Sequence, residues 1–97
     1  MAFGSKRHYV RDMKHLVRWA YDSRELGETV RRLRRSVGLT QAELAERVGA
    51  ARMTISRLEQ GGSVSVDTAL RALSECGYAV AIAPKFSRLR IDDDAQA

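Results

Sequence analysis

Arg52, Met53, Ser56 and Arg57 fall on one side of a short helical segment that begins near Ala51, because residues four apart share a helix face. Ile55 and Leu58 take the opposite side as apolar anchors, which leaves the first four exposed. Guanidinium forks, a hydroxyl and a polarisable thioether in such an array can grip an anion or a base edge. They are not arranged to break a covalent bond. His8 and His15 lie in a basic segment with no cysteine or carboxylate cluster at metal-ligand spacing. Ser63 follows two glycines, but no G-x-S-x-G elbow surrounds it. Cys76 falls on the inner stripe of a helical segment, where a small buried hydrophobe is the expected role. No enzyme activity, cofactor or metal is expected.

Caps and glycines mark the elements that must hold this face in place. Residues 1–6 read as a loose end, and from about His8 to Tyr21 the apolar residues Tyr9, Met13, Leu16, Val17 and Ala20 recur at helical spacing. Met13 is also an alternative initiation point, which would make the residues before it an extension. Asp22 and Glu25 form a D-x-x-E capping box, followed by the apolar stripe Leu26, Val30, Leu33 and Val37 and by a terminating Gly38. Thr40 and Glu43 open a second helix, with Leu44, Ala45 and Val48 inward and Gly49 as its stop. The third runs from about Ala51 to Gln60 and closes at Gly61-Gly62. Ser65 caps a fourth, with Val66, Ala69, Leu70 and Leu73 inward and Gly77 at its end. The period then changes: Tyr78, Val80 and Ile82 alternate with alanines, a strand that Pro84 ends. The domain limits that follow are 1–21 (basic extension), 22–77 (helical domain), 78–84 (strand) and 85–97 (a solvated tail carrying Asp92, Asp93 and Asp94).

Composition narrows the class. With 97 residues there is room for one modest core, and a hydrophobic fraction of 44% argues against wholesale disorder. Aromatic residues at 6% suit a small helical core. The charge of +5 fits a polyanionic partner, although by itself it is a weak signal. A single cysteine cannot form an intrachain disulfide, which fits a reducing compartment. No stretch approaches the roughly 20 apolar residues of a membrane span, and there is no apolar core of a secretory signal. A soluble, cytoplasmic, nucleoid-associated protein is the expectation.

Two short helices joined at a glycine need a small residue where they cross and a residue tolerant of positive φ at the turn; Ala45 and Gly49 meet both requirements. The run Gly38-Leu-Thr-Gln-Ala-Glu-Leu-Ala-Glu-Arg-Val-Gly49, with Thr54-Ile-Ser-Arg-Leu-Glu-Gln-Gly61 after it, resembles the XRE family, the Cro and phage-repressor type of helix-turn-helix, over about Asp22 to Gly77. The resemblance implies an all-α, lambda-repressor-like helix-turn-helix bundle that binds double-stranded DNA. It implies a phosphate contact for Gln41, which suits an amide at a helix N-terminus. It also makes Arg52, Met53, Ser56 and Arg57 the base-reading positions: Arg52 on guanine O6 and N7, Met53 on a thymine methyl, Arg57 on a base or a phosphate. Thr54 is assigned to a phosphate. Arg34 and Glu59 match a family pair that ties the first helix to the end of the third. The other arginines of residues 31–35 are open between phosphate contacts and a solvated face. Ala51 departs from the Ser or Thr common at its position, a lost cap worth about 1 kcal/mol.

A lone strand at Tyr78, Val80 and Ile82 cannot satisfy its backbone, so pairing with the same strand of a second copy is expected, giving a homodimer on a palindromic operator with half-sites about 34 Å apart. The order of domain and strand resembles HipB-like antitoxins, and implies a repressor of its own operon that binds a HipA-type kinase toxin. The added N-terminal helix and acidic tail depart from that pattern. A phage-type or restriction-controller repressor is the alternative reading. A protein-interaction module that no longer binds DNA is the alternative from another class, and Arg52 and Arg57 argue against it.

Overall fold

The computed structural model of the chain describes residues 17–88. These divide into two units, 20–81 and the flanking stretches 17–19 and 82–88. In the first unit lie four helices, α1 (Ser23–Ser36), α2 (Gln41–Val48), α3 (Arg52–Glu59) and α4 (Val66–Glu75). Within the flanking stretches, Lys85 and Phe86 form a turn in which the Lys85 ammonium lies 5.4 Å from the centre of the Phe86 ring.

Local chemistry sets the helix ends. Asp22 accepts the Glu25 backbone N–H at 2.8 Å and so caps α1. The reciprocal half of the expected box is displaced by one residue, since Glu25 Oε1 accepts from the Tyr21 N–H at 2.7 Å. At α2 the box is complete: Glu43 N–H donates to Thr40 Oγ1 at 3.0 Å, and Thr40 N–H donates to Glu43 Oε1 at 2.9 Å. The Thr40 backbone N–H foremost, and the Thr40 side chain after it, hold the Glu43 carboxyl below the ordinary glutamate range. Gly49 closes α2 at φ 80°, a left-handed conformation that strains any residue bearing a Cβ. Ser65 caps α4 by accepting the Thr68 N–H at 3.1 Å. Ala51 gives α3 no side-chain cap.

The core sits where the four helices meet. Val30, Leu44 and Ile55 are wholly buried, with Leu33, Leu39, Ala45, Val48, Leu58, Ala69, Ala72, Leu73 and Cys76 around them. Burial pushes the Cys76 thiol upward, as its place on an inner stripe leads one to expect. Three expected core positions differ. Val37 caps the C-terminus of α1 and is 47% exposed, while Gly27 and Arg34 occupy inner positions of that helix. On α4 the inner stripe runs through Ala69, Ala72, Leu73 and Cys76; this rotates Leu70 to the flank and leaves Val66 open at the first turn.

Gly27 explains the displacement on α1. A Cβ there would run into the carbonyl oxygens of Leu58 and Glu59, so the end of α3 crosses α1 at backbone contact. Ser23 reinforces the crossing by donating to the Gly61 carbonyl at 3.0 Å. The same approach brings Glu59 over Arg34.

Beyond α4, Tyr78 turns back onto the core, and its N–H donates to the Leu73 carbonyl at 2.9 Å. Residues 78–84 carry no regular structure, and no described residue offers them a strand partner. With no partner strand among the described residues, the expected strand and its pairing are not seen. Val80 and Ile82 are exposed. The helix expected from about His8 lies outside the described residues as far as Leu16, and Val17 to Tyr21 are not helical. The acidic tail also lies outside the described residues.

Candidate nucleic-acid interface

The surface that carries the candidate site is the outer side of α3. Its inner side is fixed by Ile55, wholly buried, and by Leu58 and Glu59, both nearly so. Arg52, Met53 and Arg57 stand outward, with Met53 65% exposed. An exposed thioether between two arginines cannot be explained by packing. Thr54 and Ser56 are half-buried, so they present part of their polar groups to this face rather than all of them. Ser56 Oγ accepts a long bond from Gln60 Nε2 at 3.4 Å. The stem of Arg57 lies against Gly62, where a Cβ would meet Arg57 Cγ at 2.5 Å. That glycine lets the Arg57 side chain lie along the loop after α3.

Behind α3 is a buried ionic cluster. Arg34 Nε donates to Glu59 Oε2 at 2.6 Å and Arg34 Nη2 to Glu59 Oε1 at 3.0 Å, a bidentate pair. Arg34 Nη1 also donates to the Leu39 carbonyl at 2.8 Å, just before α2. Arg34 and Glu59 are 8% and 7% exposed. The hydrogen bond to Glu59 keeps the Arg34 guanidinium protonated and outweighs the opposing effect of burial. One guanidinium thus ties α1 to the end of α3 and to the start of α2.

Gln41 completes the cluster. It is half-buried at the N-terminus of α2, and its Nε2 donates to Glu59 Oε1 at 3.0 Å. The family resemblance implies an external anion for this side chain; the structure adds an internal partner. A second amide N–H and the amide oxygen remain available to the outside. Glu59 therefore orients Gln41 as well as holding Arg34.

Of the residues singled out from sequence, Arg52, Met53 and Arg57 share the open face, Thr54 and Ser56 border it, and Gln41 stands apart at the α2 terminus. Tyr78 packs on the core, and Val80 and Ile82 are exposed elsewhere. Two further residues position the site. Gly27 permits the α1–α3 crossing, and Arg71 Nη1 donates to the Val48 carbonyl at 3.2 Å, closing the end of α2 from α4. Gly27 has no local sequence signal. Arg71 had only its spacing from Asp67, with which it forms an exposed ion pair at 3.2 Å. Among the described residues no group of histidine, cysteine, aspartate or glutamate is placed to hold a metal ion, and no helix is long and apolar enough to cross a membrane.

Comparison with known proteins agrees with this geometry. The model for a helix-turn-helix domain family matches residues 25–80, more than half of the chain. A Pyrococcus furiosus protein described as an HTH-type transcriptional regulatory protein is 46% identical over 46 residues, which cover 46% of this chain and 15% of that protein. An HTH-type transcriptional regulator of Methanothermobacter thermautotrophicus is 59% identical over 32 residues, covering 33% of this chain and 46% of the relative. The matched stretches thus span less than half the length of either relative.

Proposed function

The chain belongs to the helix-turn-helix domain family, and from that premise we propose that it is a sequence-specific DNA-binding transcriptional repressor which places α3 in the major groove. One observation carries this reading: α3 is anchored along its inner side while Arg52, Met53 and Arg57 stand free on the outer one. Arg52 reads guanine through its fork, Met53 packs on a thymine methyl, and Ser56 and Arg57 complete the contact along the helix. Gln41 and Thr54 hold phosphates and set the register. The names of the two regulators support the regulatory role.

The repressor works as a homodimer on a palindromic operator. None of Ala79 to Ala83 makes a backbone hydrogen bond with another described residue, and pairing of Tyr78, Val80 and Ile82 with a second copy would satisfy those groups. The same arrangement underlies the narrower reading as a HipB-like antitoxin that represses its own operon and binds a HipA-type kinase toxin. A toxin-like reading frame beside the gene, and a stable complex of the two products, is the expected finding; its absence leaves the phage-type or restriction-controller repressor.

DNA binding is tested by titrating salt against affinity for a duplex selected by the protein from a randomised pool. Affinity should fall linearly on logarithmic axes as phosphate contacts release counterions. Arg52→Ala should relax base preference by about 1–3 kcal/mol at one position. Affinity indifferent to both would leave the interaction-module reading in its place.

A further inference from the structure

The basic residues of α1 do not all have the same surroundings. Arg24 is paired with Glu28 at 3.2 Å, and Arg34 is buried against Glu59. Arg32 is exposed on another side of the helix. Arg31 and Arg35, four residues apart and so on one face, are also exposed, and neither has an acidic partner among the described residues. Both line a cleft of about 300 Å³ whose other walls are Arg34, Gln41, Glu59 and Gln60.

Inside that cleft the charges do not cancel. Glu59 is matched by Arg34, which leaves the two guanidinium groups of Arg31 and Arg35 as the excess. Glu43, at the start of α2, keeps its charge but does not line the cleft, its carboxylate being turned to the Thr40 N–H. Glu59 holds Gln41 from within, which fixes the amide on the cleft wall with one N–H to spare. Two free cationic forks and an oriented amide donor line one opening.

We propose that this cleft is a phosphate seat for the DNA backbone, in which Arg31 and Arg35 bracket a phosphodiester that Gln41 also contacts. The proposal rests on the DNA-binding reading above, and it adds a contact made by α1 outside the helix-turn-helix itself. The seat carries affinity and register without sequence preference, because every backbone position offers the same anion. Glu59 acts as a positioning residue that links the end of the reading helix to this anchor.

The test compares the full-length protein with two charge-matched double variants, R31Q/R35Q and R24Q/R32Q, each checked for an unchanged helical spectrum and unfolding midpoint. The probe is a short mixed-sequence DNA duplex titrated with salt. R31Q/R35Q should reduce the magnitude of the log–log salt slope by about 0.9 per domain, the share of the one phosphate that is no longer neutralised. R24Q/R32Q should leave it close to that of the parent. Base preference, read by selection from a randomised pool, should be the same in all three proteins. Equal falls in slope for both variants would mean a general charge effect and overturn the seat. An unchanged slope in R31Q/R35Q, with a steep slope in the parent, would also overturn it and leave the DNA reading intact. No salt-dependent binding by the parent would remove both. Titration with inorganic phosphate separates the sources: saturable binding abolished in R31Q/R35Q, with no change in DNA slope, would reassign the cleft to a soluble phosphate ligand and overturn the diester assignment.

Discussion

Replacing Glu59 by alanine removes the carboxylate on which three hydrogen bonds end, two from Arg34 and one from Gln41. Arg34 stays behind with its side chain 9% exposed, its Nη1 still held by the Leu39 carbonyl and its charge uncompensated. Leaving one member of a buried pair in this way costs about 3–5 kcal/mol. Domains of this size are stable by about 5–15 kcal/mol in total, so the loss is a large share of what holds the fold. For a domain of 60–100 residues each kilocalorie moves the unfolding midpoint by about 4–8 °C, so a fall on the order of 12 °C or more is expected. Thermal and urea unfolding, each followed by circular dichroism, measure it. A control distinguishes the charge from the packing: Arg34→Met combined with Glu59→Leu keeps the volume and removes both charges, and should recover most of the loss. If Glu59→Ala unfolds within about 1 kcal/mol of the parent, or if the apolar pair is no better than the single variant, the argument from an uncompensated buried charge is wrong.

Gly27→Ala should destabilise by at least the about 1–3 kcal/mol of an overpacked core, because its Cβ would meet the Leu58 and Glu59 carbonyl oxygens; urea unfolding should show it without a change of slope. Ala51→Ser should stabilise by about 1 kcal/mol by giving α3 the cap it lacks, seen as a higher midpoint in the same assay. The Glu43 carboxyl titrates lower when folded than when unfolded, so its contribution is present above the ordinary glutamate range and is lost as pH falls through the lowered value. Glu43→Gln should therefore flatten the acid limb of the stability–pH curve, and an unaltered limb would count against the capping box as its cause.

Much of the frame was legible because it is encoded locally. Thr40 with Glu43, Ser65 with Thr68 and the left-handed Gly49 act over a few residues, and their chemistry can be read without knowing what lies across the core. Ala45 was expected to face inward from the same local pattern, and it is buried. Gly27 was not: its requirement comes from carbonyls more than thirty positions away in the chain, and nothing beside it announces them. Val66 and Leu70 looked inward by spacing alone, yet the buried stripe of α4 runs through Ala69, Ala72, Leu73 and Cys76. At the candidate site, helical geometry found Arg52, Met53 and Arg57, whereas Ser56 is only half-open, with Gln60 reaching back to its hydroxyl. The cleft at Arg31 and Arg35 depends on which arginines find acids in three dimensions, which composition cannot say. The strand expected at Tyr78 to Ala83 finds no partner among the described residues, where the segment has no regular structure.

The uncapped start of α3 and its clamped end make the helix a cantilever. Its root, at Glu59, is locked into α1 and α2, whereas its tip carries Arg52 and Met53 beyond the core, with no side-chain bond at Ala51 to brace them. Exposed positions of this kind usually tolerate exchange within about 0.5 kcal/mol. On the proposed reading of DNA by α3, new residues at the tip would alter what is recognised while the root goes on aiming the helix unchanged. In evolutionary terms, this protein can change its vocabulary without rebuilding its grammar.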